Sequence, residues 1–69
     1  MNRRQELHDV RKRMGLSMAE LSRRTGLHPT TLFDLEAGRR YAYPKYRRLL
    51  QEALQTPADV LFGPEEPRK

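Results

Sequence analysis

The chain contains no cysteine, no tryptophan and no isoleucine, and only two valines. Without cysteine there are no disulfides, no thiolate metal ligands and no thiol nucleophile, so packing alone must hold the fold. The two histidines, His8 and His28, lie too far apart to give metal-ligand spacing. The scarcity of β-branched residues argues against a sheet. No apolar run approaches the length of a membrane-spanning helix or a secretory signal core, so a cytosolic location is the default. Sixty-nine residues allow one small domain, and a ligand cavity of hundreds of Å³ is not expected in it. No catalytic triad, paired carboxylates or phosphate-cradling glycine loop is present, so the residues offer no enzyme and imply no cofactor.

What the chain does have is leucine and arginine. Ten Leu, two Val and two Phe make 14 of 69 residues, close to the roughly 20% below which chains tend not to fold. Leu, Ala, Arg, Glu and Gln are good helix formers. A core this thin makes a homodimer a reasonable expectation. The net charge of +5 is uneven: residues 1–13 carry +3, 14–38 carry −1, 39–48 carry +5 and 49–63 carry −2. The run 39–48 contains Arg39, Arg40, Lys45, Arg47 and Arg48 and no carboxylate. Such a run suits a polyanion, or else a solvated helix face.

Start and stop signals divide the chain into five short helices. The first runs from about Arg3 to Met14, with Leu7, Val10 and Met14 on one stripe and Gly15 past its end. The second opens at Ser17, where Ser17 and Glu20 have capping-box spacing and Leu16 and Leu21 have that of a hydrophobic staple. Gly26 stops it. Pro29 opens the third helix as its first residue, with His28 as a poor N-cap and Leu27 and Leu32 repeating the staple; Gly38 ends it. After the basic and aromatic stretch Arg39 to Tyr43, Pro44 opens a fourth helix carrying Tyr46, Leu49, Leu50, Ala53 and Leu54 at helical spacing. Thr56-Pro57-Ala58-Asp59 announces a short fifth helix that closes at Gly63-Pro64. The expected domain is therefore 1–63, all-α and compact, with a disordered tail over 64–69.

Residues 15–38 form the most informative segment. Two helices at 18–25 and 29–37 flank a tight turn at Gly26, as a helix-turn-helix requires. Leu21, Leu27, Leu32 and Leu35 are placed to lock the pair, leaving Thr30, Thr31, Phe33 and Asp34 for the outer face. An ordinary corner between two helices has the same spacing.

The run Leu16-Ser17-Met18-Ala19-Glu20-Leu21-Ser22, then Thr25-Gly26-Leu27, then Leu32 and Leu35-Glu36-Ala37-Gly38-Arg39-Arg40, resembles the Cro/phage-repressor helix-turn-helix family. Ala53-Leu54 and Thr56-Pro57-Ala58-Asp59-Val60-Leu61-Phe62 are similar to that family's ending. The similarity spans roughly residues 5–63. It implies a five-helix, lambda-repressor-like domain that binds operator DNA, commonly as a dimer, with the helix at 29–37 in the major groove. It also implies a pair between Arg11 and Glu36, with the outer edge of Arg11 facing a phosphate.

The chain departs from the family where amides often begin the two motif helices, having Met18 and Pro29 instead. Base reading then falls to Thr30, Phe33, Asp34 and His28: Thr or Phe against a thymine methyl, Asp accepting from cytosine N4. Phosphate contacts are expected from Ser17 and the start of the second helix, from Arg23, from Arg39 and Arg40, and from Tyr41, Tyr43 and Lys45. Arg47 and Arg48 are expected to be solvated. Dimer contacts are expected on the last helix at Leu61 and Phe62. These readings describe a sequence-specific transcriptional regulator of double-stranded DNA, a repressor of phage or plasmid type, with no room for an effector domain. A restriction controller or an antitoxin also fits. The rival from another class is a protein-interaction adaptor that kept the fold and lost base reading.

Overall fold

Two of the five helices begin at a side-chain cap and end at a left-handed glycine. The computed structural model describes residues 4–64. Among them the chain forms α1 (Gln5–Arg13), α2 (Met18–Thr25), α3 (Pro29–Ala37), α4 (Pro44–Leu54) and α5 (Ala58–Phe62), with no strand. The expected start at Arg3 and the expected tail beyond Pro64 lie outside the described residues. α1 begins at Gln5 because Arg4 is held in a non-helical conformation, its N–H donating to Glu36 O at 2.9 Å. Arg4 Nη1 also donates to Leu35 O at 2.7 Å and Arg40 O at 2.8 Å. The amino-terminal end is thereby tied to the far end of α3.

Ser17 caps α2, its Oγ accepting from the Glu20 N–H at 3.1 Å. Only half of the capping box forms, because the Glu20 carboxylate pairs with Arg23 instead. His28 caps α3, Nδ1 accepting from the Thr30 N–H at 3.1 Å, so a residue type that caps poorly on average serves here. Between the two helices Gly26 has φ +77, and a Cβ built there meets nothing within 4 Å. Gly26→Ala is therefore expected to cost only the left-handed strain of an L-residue, about 1–2 kcal/mol, measured by urea denaturation. A larger loss would reveal a steric demand that the turn does not show.

The core gathers Leu7, Val10, Leu16, Leu21, Leu32, Leu35, Leu50, Leu54 and Leu61, with Met18, Leu27, Tyr46, Ala53 and Phe62 packed around it. α2 packs on α3 and α4, while α1 packs on α3 and α5, and α4 on α5. The structure corrects two expectations here. Leu61 is 1% exposed and belongs to this core, so it is no contact for a second copy. Arg47 is buried rather than solvated: Nη2 donates to Asp59 Oδ1 at 2.8 Å and Gly63 O at 2.9 Å. Its place follows from register, since Arg47, Leu50 and Leu54 form one inward stripe of α4. Arg48 is exposed, as expected.

Arg4 and Arg47 both lie over the ring of Phe62, at 5.4 and 5.6 Å from its centroid. Burial, and then the like charge of Arg47, lower the pKa of Arg4. The aromatic face, three carbonyls and the Asp59 carboxylate offset the cost of gathering these cations.

Candidate nucleic-acid interface

α3 divides into two faces by helical register. Leu32 and Leu35 are fully buried, at 1% and 0% exposed. Thr30, Phe33, Asp34 and Ala37, spaced i, i+3, i+4 and i+7, lie on the opposite side. Thr30 is exposed, and Phe33 is 54% exposed. Thr31, expected on this outer face, is half-buried on its flank. Met18 is also partly buried and packs against the core, which limits what it can present from the start of α2.

The turn preceding α3 is fixed by residues that spacing did not single out. Ser22 Oγ donates to Leu27 O at 2.6 Å, and Thr25 Oγ1 donates to Leu21 O at 2.9 Å while accepting from the Leu27 N–H at 3.1 Å. These bonds orient the entry of α3. The His28 ring is oriented in turn by its cap: with Nδ1 accepting, the neutral imidazole carries its proton on Nε2. An N–H donor therefore stands at the exposed start of α3.

The implied Arg11–Glu36 pair is present. Arg11 Nε donates to Glu36 Oε2 at 2.6 Å, and Nη1 donates to Leu16 O at 2.8 Å. The two side chains are 10% and 11% exposed. His8, one turn earlier on α1, joins them with Nδ1 at 3.1 Å from Glu36 Oε1. The cluster joins α1 to the end of α3. Beside it a shallow cleft of about 280 Å³ is lined by Arg11, Lys12, Gly15, Leu16 and Ser17, at the amino-terminal end of α2. Most of the Arg11 guanidinium is engaged inside the domain, which restricts any outward contact to this edge.

Beyond α3, Gly38 turns the chain at φ +79 and Arg39 N–H donates to Asp34 O at 2.9 Å. Both following arginines fold back on the Asp34 carboxylate. Arg39 Nε and Nη2 lie 3.2 and 3.1 Å from Oδ1, and Arg40 Nη2 lies 3.4 Å from Oδ2. Ala42 is buried and anchors this loop, while Tyr41, Tyr43 and Tyr46 meet edge to face, with centroids 4.7 and 6.1 Å apart. The tyrosines thus pack on one another and on α4. Lys45 and Ser17 are exposed, as is Arg23 beside its partner Glu20.

Among the described residues no cluster of His, Asp or Glu is arranged to hold a metal ion, and no helix is long and apolar enough to cross a membrane. No curated protein matches the chain. The profile of a helix-turn-helix family matches residues 7–61, from the first turn of α1 to the last turn of α5. The match covers the motif helices, the Arg11–Glu36 link and the whole core, and the chain belongs to the Cro/phage-repressor helix-turn-helix family of DNA-binding transcription regulators.

Proposed function

We propose that the protein is a repressor that binds a palindromic operator as a homodimer, with α3 in the major groove. The observation carrying this reading is the two-faced α3: its inner side is sealed in the core, while Thr30 and Phe33 stand exposed directly before Arg39 and Arg40. Thr30, Phe33, Asp34 and the His28 N–H supply base contacts. Ser17 and the free N–H groups at the start of α2, with the adjoining Arg11–Lys12 cleft, receive one phosphate. Arg23, Arg39, Arg40, Lys45 and the tyrosine hydroxyls of Tyr41 and Tyr43 follow the flanking backbone. Two copies set recognition helices about 34 Å apart on one face of the duplex. With Leu61 sealed and Phe62 held by two arginines, the apolar residue that α5 offers a second copy is Val60, 46% exposed.

A salt titration with random-sequence duplex tests the reading. The logarithm of the binding constant is expected to fall steeply with that of salt concentration, by about 0.9 per phosphate neutralised. A flat dependence, or no binding at low salt, would favour the adaptor. Among variants, Arg39→Ala with Arg40→Ala is expected to weaken binding without altering which bases are preferred, the operator losing more than random duplex. Thr30→Ala is expected to change base preference, read by selection from a random pool. The reverse assignment would show that the contacts are sorted wrongly.

A further inference from the structure

We propose that Asp34 is an internal stand-in for a DNA phosphate: it holds Arg39 and Arg40 while the protein is free and yields them to the backbone only when α3 is seated in the groove. This rests on the DNA-binding reading above. It makes Asp34 a determinant of specificity through the arginines it withholds.

Three observations support it. First, both carboxylate oxygens are occupied, Oδ1 by Arg39 and Oδ2 by Arg40. In this state Asp34 competes with any phosphate for the same guanidinium groups. Second, the grip is exchangeable. The Arg39 and Arg40 side chains are 59% and 39% exposed, the Arg40 contact is long at 3.4 Å, and Arg40 Nε is buried with no partner. Exposed ion pairs of this kind are weak, and a phosphate offers more acceptor oxygens. Third, the end of α3 does not need the carboxylate. Gly38 and Arg39 N–H already donate to Leu35 O and Asp34 O, at 3.2 and 2.9 Å.

The exchange couples affinity to base reading. Once phosphates take Arg39 and Arg40, both Asp34 oxygens are free to accept from a cytosine amino group in the major groove. Where α3 lies loosely on the backbone, or faces a base without a donor, the freed carboxylate is left unpaired near phosphates. There the arginines return to it. Asp34 thus lowers binding to non-cognate DNA more than binding to the operator.

The test measures affinity for random-sequence duplex at low salt by fluorescence anisotropy, with thermal melts to establish that each variant is folded. Asp34→Asn is expected to bind random duplex about fivefold more tightly than the wild type, and Asp34→Ala to move in the same direction. In the Arg39→Ala, Arg40→Ala background the same substitution is expected to give a smaller gain, about twofold, because only the repulsion between the carboxylate and the phosphates is left to relieve. Unchanged or weaker binding by both folded Asp34 variants overturns the proposal, and so does a full gain in the background lacking the arginines. Either result leaves the DNA-binding reading standing if the wild type binds. Absence of binding by the wild type itself overturns that reading instead.

Discussion

Glu36→Ala is expected to unfold a large part of the protein at room temperature. The substitution leaves the Arg11 guanidinium inside the domain, 10% exposed, with its shortest bond, 2.6 Å to Glu36 Oε2, gone. An uncompensated buried charge typically costs about 3–5 kcal/mol. Total stability is about 5–15 kcal/mol in globular proteins, and a small domain sits toward the low end. His8 loses its partner at the same time. Removing both charges is a different experiment: Arg11→Met with Glu36→Leu replaces the pair by apolar volume and is expected to recover most of the loss. Urea denaturation of Glu36→Ala and of the double variant separates these outcomes. A loss below about 1 kcal/mol for Glu36→Ala would mean that Arg11 finds water through the cleft beside it.

Local chemistry accounts for what the sequence made legible. Ser17, Gly26, Pro29, Gly38 and Pro44 mark α2, α3 and the start of α4 because caps, left-handed turns and missing N–H groups act within a few residues. The outward side of α3 was legible for the same reason, since register alone places Thr30 and Phe33 opposite Leu32 and Leu35. The Arg11–Glu36 pair was implied by the family resemblance and not by spacing. Long side chains crossing between elements were hidden. Arg4 reaches Leu35 O and Arg40 O from the other end of the chain, a contact that exists only once the helices have packed. Leu61 was misassigned because α5 has five residues, too few turns for periodicity to tell its inner face from its outer one. Arg47 was hidden for a different reason: a guanidinium turns inward only where acceptors wait for it, and Asp59 and Gly63 O come from α5 and its end, visible only once the helices have packed.

These side chains also change the meaning of the basic run at 39–48. Arg47 is committed to Asp59 and the end of α5, and Arg39 and Arg40 share Asp34. Much of the surplus charge is therefore balanced inside the free protein. The long-range attraction for DNA still follows the net charge of +5, which already counts both carboxylates, but at contact these guanidinium groups must leave a partner before they meet a phosphate. That exchange leaves recognition more dependent on the face of α3 itself.

That dependence is exposed by two substitutions, two residues apart on one helix. Leu35→Ala empties a side chain that is 0% exposed and is expected to cost about 2–5 kcal/mol, the transfer term plus the cavity. Leu35 lies on α3 and packs in the core shared by α1, α2, α4 and α5, so there is little room for one element to relax alone. Phe33→Ala, at 54% exposed, is expected to change stability by no more than about 0.5 kcal/mol. Its effect belongs to DNA: the ring is the largest apolar group on the outer face of α3, and losing it is expected to weaken operator binding about tenfold, while binding to random duplex changes little. Urea denaturation and anisotropy on both variants decide the matter. Should Phe33→Ala destabilise the fold as much as Leu35→Ala does, or bind every duplex as the wild type does, the outer face of α3 would not be the reading surface. The adaptor would then be the better account of an exposed phenylalanine on this helix.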